Sequence, residues 1–207
     1  MQRLHALEKA EVFQRNQASP ARVYSTDPIQ QVRIQHARDA VKKVLLKFKS
    51  DYVSTAHTMR TVVELGANTA DISAPISFGH FVHCWEISPQ CIEYIARNYP
   101  WIKLHIEDVE TATPMPCDLL VICEILEHLT LPDELVKRWL PNARYAVISS
   151  PLNGDLEVDL SGGEHVFSFS EDDFQNFVKI GGHEIVEQKS FAMGRYCIKM
   201  LVTRRKD

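Results

Sequence analysis

Residues 61–73 read TVVELGANTADIS, and this stretch decides the fold. The apolar run Thr61–Leu65 predicts a buried strand, the Gly-Ala-Asn-Thr sequence after it predicts a turn, and a helix is expected over about residues 69–78. Backbone N–H groups at such a turn and helix start bind polar ligand atoms. Asn68 and Ala70 occupy two positions where a ligand-binding loop of this kind usually carries glycine. The loop therefore predicts a ligand site and leaves the fit of the ligand open.

Short apolar runs continue at regular intervals after this strand. They lie at residues 81–85, 102–106, 119–123 and 146–149. Helical patterns separate several of them, at about residues 89–99 and 131–140. Strands that alternate with helices predict βαβ units and a parallel sheet. Near the end, a helix with Ser170 as its cap is expected to precede two strand-like runs, residues 184–190 and 196–203, which predict an antiparallel hairpin at the sheet edge.

The chain before residue 28 differs from the rest. Residues 1–27 are mixed and polar, so they are expected to form an N-terminal arm, whose first 17 residues are compatible with a helix. From Pro28 to about Lys49 apolar residues recur every three or four positions, which predicts a helix with Asp27 as its N-cap. Residues 28–207 are predicted to form one domain.

Composition and charge disfavour several classes of protein. The chain has 207 residues, of which 45% are hydrophobic, and its formal net charge is −4. No apolar run reaches the roughly 18 residues of a membrane span, and the N-terminus is too polar for a signal peptide. The five cysteines include no Cys-x-x-Cys pair, which favours a reduced, cytoplasmic protein. Neither DNA nor a membrane is an expected partner, and the sequence leaves the oligomeric state open.

Acidic residues lie at the ends of four successive strands of the predicted sheet. Glu64 lies at the end of the first strand, and Glu86 follows the second about twenty residues later. Glu107 and Asp108 follow the third strand, and Glu124 follows the fourth. In α/β nucleotide-binding folds the ligand lies beyond the carboxyl ends of the strands, and a carboxylate after the second strand accepts hydrogen bonds from ribose hydroxyls. The spacing therefore predicts a nucleoside site.

Over residues 61–203 the chain resembles the class I S-adenosylmethionine-dependent methyltransferases. ELGANTADIS (64–73) stands where that family has an acidic-x-Gly-x-Gly-x-Gly loop, and CDLLVICEILEHL (117–129) corresponds to its fourth motif. The resemblance implies an α/β, Rossmann-like fold with a seven-stranded, mostly parallel sheet, an antiparallel last strand and helices on both faces. It implies S-adenosylmethionine as the cofactor, with Glu86 at the ribose and Asp108 at the adenine. The residues implied to bind this cofactor are Glu64, Gly66, Asn68, Glu86, Ile87, Asp108, Val109 and Glu124.

A second group of polar residues indicates where the methyl acceptor would react. Glu124, Glu127 and His128 form a Glu-x-x-Glu-His set, and His165 follows within GGEHVFSFSEDDF (162–174). Two carboxylates and two imidazoles are suitable ligands for Mg²⁺ or Mn²⁺, so these four residues are candidate metal ligands. Without a metal, His128 or His165 is the candidate catalytic base for a hydroxyl acceptor.

This pattern occurs in two methyltransferase groups that the chain resembles. In the small-RNA 3′-terminal 2′-O-methyltransferases, the corresponding residues bind a metal that engages the terminal ribose. In a larger group, similar to the ubiquinone-biosynthesis O-methyltransferases, the pattern commonly occurs without a catalytic metal. A pI near 6.1 and the lack of an obvious basic patch favour a small-molecule acceptor over RNA. Transfer to an oxygen or nitrogen of a small molecule is therefore the first expectation, and metal-dependent 2′-O-methylation of an RNA 3′ end is the alternative.

Two further functions compete with methyl transfer as interpretations of the loop. A dinucleotide dehydrogenase is disfavoured because its loop needs several glycines for the pyrophosphate to approach, and this loop has one. A binding or scaffold module that has kept the fold and lost turnover is compatible with the altered loop. In the arm and first helix, Tyr24 and His36 are the polar groups expected to select the acceptor. Trp85 is expected to pack in the core.

Overall fold

The computed structural model of the chain describes residues 1–3, 11, 14, 18, 28–51, 60–152, 165–193 and 196–207. Within these ranges the α-helices are α1 (Pro28–Asp51), α2 (Pro89–Asn98), α3 (Pro132–Trp139) and α4 (Glu171–Ile180). The strands are β1 (Gln2–Arg3), β2 (Thr61–Leu65), β3 (Phe81–Trp85), β4 (Lys103–His105), β5 (Cys117–Cys123), β6 (Ala143–Leu152), β7 (Phe167–Ser168), β8 (His183–Met193) and β9 (Tyr196–Arg205).

Seven of these strands form one sheet in the order β4-β3-β2-β5-β6-β9-β8. The five strands from β4 to β6 are parallel, whereas β9 is antiparallel to both of its neighbours. The chain builds outward from β2 to β4 and then returns to the other side of β2 with β5. The strand order therefore reverses between β2 and β5, which is where open α/β sheets form a ligand crevice. The predicted fold class, including the antiparallel last strand, is confirmed.

The sheet separates two hydrophobic cores. Successive side chains of a strand point to opposite faces, so in β5 Leu120 and Ile122 belong to one core and Leu119 and Val121 to the other. Residues of α3 and α4 complete the first core, and residues of α1 and α2 complete the second. Both faces of β5 are buried, which explains why its sequence is a continuous apolar run. Helices cover both faces of the sheet, as predicted.

The prediction of an α-helix after β2 is wrong. Residues 69–78 form turns and one short 3-10 helix, Ala74–Ile76, instead. Ala70 has a φ of 57°, in the left-handed region, so a right-handed helix cannot start before it. Pro75 has no N–H to donate to a carbonyl one turn earlier. Too few residues then remain before β3 for an α-helix to form.

The helices predicted over about residues 28–49, 89–99, 131–140 and 170–180 and the final hairpin are confirmed. α1 begins at Pro28, as the apolar periodicity indicated. α4 has a capping box in which the Ser170 hydroxyl accepts from the Asp173 N–H and the Asp173 carboxylate accepts from the Ser170 N–H. β8 and β9 pair along their lengths, with β8 at the sheet edge. None of the helices within the described ranges has the length and apolar character needed to cross a bilayer.

The N-terminal arm is described at its beginning. β1 pairs antiparallel with β7, so the first residues are a strand and not the start of a helix. Most of the predicted helix over residues 1–17 lies outside the described residues. The division between an arm at 1–27 and a domain at 28–207 stays a prediction.

Candidate functional site

A cavity of about 180 Å³ lies at the carboxyl ends of β2, β3, β4 and β5, where the strand order reverses. α1 closes it on one side through Arg33 and Ile34. All eight residues that the sequence analysis assigned to the cofactor line this one cavity: Glu64, Gly66, Asn68, Glu86, Ile87, Asp108, Val109 and Glu124.

The loop after β2 keeps left-handed backbone at the positions that lack glycine. Gly66, Asn68 and Ala70 have φ angles of 65°, 48° and 57°. Asn adopts this conformation more readily than most residues, whereas an alanine there costs about 1–2 kcal/mol. At Gly66 a Cβ atom would lie 2.4 Å from Cδ1 of Ile125, so any other residue would need Ile125 to shift in addition to adopting an unfavourable φ. The altered loop thus keeps alternating left-handed residues without three glycines.

The backbone of this loop is held by the end of β3. The N–H groups of Gly66 and Ala67 both donate to the Trp85 carbonyl, at 3.0 and 3.1 Å. The Asn68 N–H donates to Oε2 of Glu86 at 2.7 Å, and the Ala70 N–H donates to the Ala67 carbonyl. Four N–H groups that could have faced a ligand are therefore bonded within the protein.

Glu86 organises the nucleoside side of the cavity. Its Oε1 accepts from the N–H groups of Ile87 and Ser88, both at 2.8 Å, and its Oε2 accepts from Asn68. Burial raises the pKa of Glu86, and these three donors oppose that rise. A carboxylate offers about four acceptor positions. One position is left for a ribose hydroxyl, so a second hydroxyl would have to displace one of the N–H groups.

Two acidic residues after β4 form the neighbouring wall. Glu107 Oε1 accepts from the Trp85 indole N–H at 3.1 Å, and Asp108 Oδ1 accepts from the Glu110 N–H at 2.9 Å. Trp85 is buried in the core, as predicted, and also lines the cavity. Its ring stacks on the His105 imidazole with a centroid separation of 3.8 Å. This stack and the bond to Glu107 fix the wall beside Asp108.

Glu64 lies beneath the loop and is 3% exposed. Burial raises its pKa to about 7, although hydrogen bonds with Ser73 lower it in part. A positive charge placed in the cavity would favour the ionised form of this carboxyl group. Glu64 therefore suits a cationic ligand.

Glu124 connects the end of β5 to α1. Its φ of 54° is left-handed, a conformation that persists in a non-glycine residue only when the surroundings enforce it. The Ser149 hydroxyl donates to Oε1 of Glu124 at 2.7 Å, and Arg33 Nη1 lies 3.8 Å from its Oε2. Burial raises the pKa of Glu124, and the nearby Glu127 raises it further. The side chain is thus held between a strand and a helix.

Three of the four predicted metal ligands lie together. One ligand atom each from Glu127, His128 and His165 falls within 4.8 Å of the others. Glu127 is 1% exposed, and its Oε2 accepts from the Ser150 hydroxyl at 2.7 Å. Burial raises its pKa, and His165 opposes the rise. The fourth predicted ligand, Glu124, is outside this group and interacts with Ser149 and Arg33.

The two histidines differ in access to the cavity. Their ring centroids are 5.0 Å apart, in an edge-to-face arrangement. His128 lines the cavity, whereas His165 is not among the lining residues described. His128 is therefore the imidazole that a ligand in the cavity would meet first.

Arg33 is one of several lining residues that were not predicted from the sequence, and it is the one arginine or lysine among the described residues that line the cavity. It lies on the buried stripe of α1, one turn before Ala37 and two turns before Ala40. A single arginine within the apolar stripe of a helix is the sequence feature that could have indicated its position in the cavity. His36, which was expected to select the acceptor, lies outside the cavity, where it contacts Phe191 and Lys189. The role of His36 in selecting the acceptor stays a prediction, and Tyr24 lies outside the described residues.

The chain resembles known proteins in its structure and not in its sequence. No protein-family model matches the chain, and no curated protein matches its sequence. Magnesium protoporphyrin IX methyltransferase from Synechocystis PCC 6803, solved with bound S-adenosylmethionine, matches with a TM-score of 0.69 at 14% identity, over 97% of this chain and 99% of that one.

Two other solved structures are similarly alike. The N-methyltransferase NodS from Bradyrhizobium japonicum WM9, in complex with S-adenosyl-L-homocysteine, matches with a TM-score of 0.67 at 14% identity, over 95% of this chain and 98% of that one. The cyclase SpnF matches with a TM-score of 0.66 at 10% identity, over 85% of this chain and 82% of that one. Together with the strand order and the position of the cavity, these likenesses identify the fold as that of the class I S-adenosylmethionine-dependent methyltransferases.

Proposed function

We propose that the protein transfers a methyl group from S-adenosylmethionine to an oxygen or nitrogen nucleophile of a small molecule. The observation that carries the proposal is the cavity itself, because carboxylates from the ends of four successive strands line it together. Two of the similar structures are methyltransferases with the cofactor or its product bound. Because SpnF shares the fold and is a cyclase, the proposal rests on the cavity and not on the fold alone.

The lining residues fit the chemical groups of this cofactor. Glu86 has acceptor capacity for a ribose hydroxyl, and Asp108, which lines the same cavity, would accept from the adenine amino group. Glu64 and Glu124 supply negative charge near the positive groups of the methionine end. When bound, S-adenosylmethionine supplies an electrophilic methyl group on a sulfonium.

The acceptor would meet His128, the imidazole of the cavity lining. An imidazole can take a proton from a hydroxyl or ammonium acceptor near neutral pH. Glu127 lies behind it, fixed by the Ser150 hydroxyl, and His165 lies beside both. We assign His128 as the general base and assign Glu127 and His165 to positioning it.

Calorimetry with S-adenosylmethionine and S-adenosylhomocysteine, at about pH 6 and about pH 8, tests the proposal. Both ligands are expected to bind, and S-adenosylmethionine should bind several-fold more tightly at the higher pH. The reason is that Glu64, with a pKa raised to about 7, is mostly protonated at the lower pH, and a cationic ligand favours its ionised form.

Two variants sharpen the pH test. Glu64→Gln should reduce the pH dependence, whereas Glu184→Gln, which alters an exposed ion pair with Arg204, should leave it unchanged. Absence of binding by either ligand up to roughly millimolar concentration would reject the proposal.

A second candidate function is metal-dependent 2′-O-methylation of an RNA 3′ end, and the grouping of Glu127, His128 and His165 favours it. Carboxylate and imidazole ligands suit Mn²⁺, which could in turn engage two ribose hydroxyls. This candidate predicts that Mn²⁺ binds the wild-type protein and that His165→Ala weakens its binding by tenfold or more, as a lost ligand should. His36→Ala is the matched control, since His36 lies outside the cavity.

The readout is Mn²⁺ titration followed by electron paramagnetic resonance, together with methyl transfer to a short RNA in EDTA. Full methyl transfer to RNA in EDTA, or equal Mn²⁺ affinity in both histidine variants, would reject the metal-dependent function. Metal-independent methylation of a small molecule would then be the remaining proposed function.

A further inference from the structure

Two histidines contact each other near the edge of the sheet, outside the lining of the cavity. His83 lies on β3, and His105 lies on the neighbouring strand β4. Nδ1 of His83 and Nε2 of His105 are 3.0 Å apart. Both side chains are half-buried, so part of each ring remains open to solvent. Neither residue has a part in the proposed function.

The register of the two parallel strands explains why these imidazoles meet. His105 pairs with Trp85, and His83 lies two positions before Trp85 on the same strand. Residues two apart on a strand point to the same face, so the three side chains share one face of the sheet. The rings of Trp85 and His105 are parallel, with centroids 3.8 Å apart. This stack holds the His105 ring beside His83.

Both imidazoles are in the form that binds metal ions. Burial lowers the pKa of each ring, and the positive charge of Lys103 lowers both further, whereas Glu107 opposes the change at His105. Two neutral imidazoles can form one N–H···N bond, in which one ring donates and the other accepts. If the donor ring carries its proton on its other nitrogen instead, both facing nitrogens offer a lone pair. The pair can therefore bind a cation near neutral pH without releasing a proton.

The separation of the two nitrogens matches two neighbouring ligands of one ion. Bonds from a metal to imidazole are about 2.0–2.1 Å long. Two such bonds at a right angle place their nitrogens roughly 2.9 Å apart, whereas a tetrahedral angle places them roughly 3.4 Å apart. The observed 3.0 Å is closer to the right angle, which is the square-planar or tetragonal geometry of Ni²⁺ and Cu²⁺. The second side-chain torsion of histidine is broad, so each ring can rotate to direct its lone pair at the ion.

Water would fill the remaining positions of such an ion. Among the described residues, one group of three potential ligands has its atoms within 4.8 Å of one another, and it is Glu127, His128 and His165. The pair on β3 and β4 therefore has no third protein ligand that close. Of the two charged groups nearby, Glu107 favours a cation and Lys103 opposes it. The geometry thus fits a two-histidine site that is open to solvent.

We propose that His83 and His105 bind a divalent transition-metal ion of the Ni²⁺ or Cu²⁺ type, which links the edge strand β4 to β3. β4 has only three residues, so a ligand that joins it to its neighbour should stabilise the folded state. Trp85 stacks on His105 and also lines the cavity, so the ion braces one wall of the cavity from behind. The site is separate from the Glu127, His128 and His165 group, and it does not depend on the proposed function.

Titration of Ni²⁺ into His165→Ala protein without an affinity tag tests the proposal, because this change removes one ligand from the other group. Calorimetry is expected to show Ni²⁺ binding, with a higher melting temperature and with quenching of tryptophan fluorescence, since Trp85 lies against His105. Adding either His83→Phe or His105→Phe should weaken Ni²⁺ binding by about tenfold or more and remove both signals. Phenylalanine keeps an aromatic ring at each position, so the packing around Trp85 is retained.

His36→Phe is the matched control, because His36 lies on α1, which packs on the opposite face of the sheet from Trp85. This change should leave the affinity for Ni²⁺ unaltered. Absence of saturable Ni²⁺ binding to the His165→Ala protein would overturn the proposal, and the contact would then be only a hydrogen bond between neutral imidazoles. Unchanged affinity in either the His83→Phe or the His105→Phe variant would overturn it too, because a shared ion needs both rings.

The same two phenylalanine changes in the wild-type background keep the test valid if His165→Ala does not fold. There each change should remove one Ni²⁺ per chain from the titration. An unaltered stoichiometry and affinity in both variants would contradict the proposal.

Discussion

Replacing Glu86 with Gln is expected to lower the affinity for S-adenosylmethionine on the order of a hundredfold. Both oxygens of Glu86 accept backbone N–H bonds, two at Oε1 and one at Oε2. Glutamine has one oxygen, so its amide N–H₂ group must face at least one of these donors. Either the Asn68 N–H or the pair from Ile87 and Ser88 then lacks an acceptor in a buried place.

The same change also removes the negative charge that would accept from a ribose hydroxyl. The affinity should therefore fall both because the loop is disturbed and because the ligand loses a charged acceptor. Isothermal calorimetry measures the affinity, and chemical denaturation measures the stability, which should fall by about 1–3 kcal/mol. Glu93→Gln is the control, because it alters an exposed ion pair with Arg97 on α2. A Glu86→Gln protein that binds both S-adenosylmethionine and S-adenosylhomocysteine like the wild type would contradict the assignment of Glu86.

Gly66→Ala is expected to lower the free energy of unfolding by about 2–3 kcal/mol. The φ of 65° at Gly66 costs an alanine about 1–2 kcal/mol. The new Cβ would also lie 2.4 Å from Ile125 Cδ1, 3.0 Å from its Cγ1 and 3.3 Å from its Cβ. Rotation of the terminal methyl group cannot relieve all three contacts, so the loop or Ile125 must move.

Gly182→Ala separates the two causes. Gly182 has a similar φ of 70°, but an added Cβ there would have nothing within 4 Å. This variant should lose about 1–2 kcal/mol, from conformation alone. Urea denaturation of both variants gives the comparison, and an equal loss in the two would show that the contact with Ile125 is unimportant. Ile125→Val in the Gly66→Ala background should recover part of the difference.

The strands and the cavity acids were predictable from the sequence because their signals are local. A run such as Cys117–Cys123 is apolar along its whole length because both of its faces are buried. Glu64, Glu86 and Asp108 follow successive strands, and parallel strands bring their carboxyl ends to one edge. The prediction that the strands are parallel was therefore enough to predict that these side chains lie close together.

What the sequence did not reveal depends on contacts between distant segments. Ala70 favours a helix by intrinsic preference, yet its φ is left-handed in a loop held by Trp85 and Glu86. Arg33 gains its place in the cavity from the packing of α1 against the loop, through Arg38 and Asp71. Glu124 was grouped with Glu127 by sequence spacing, and Glu127 does lie near enough to raise its pKa, but its contacts with Ser149 and Arg33 and its left-handed backbone had no local signal.

The loop at residues 66–70 bears on how relatives of this protein can be found. A sequence pattern that demands glycine at positions 68 and 70 would pass over this chain, because asparagine and alanine stand there. Its backbone nevertheless takes the left-handed conformation at both positions. Asparagine and alanine can therefore stand at these positions when a neighbouring strand end holds the turn, and the strain of one alanine is about 1–2 kcal/mol. Searches for distant members of this fold would do better to compare backbone angles at the turn than to count its glycines.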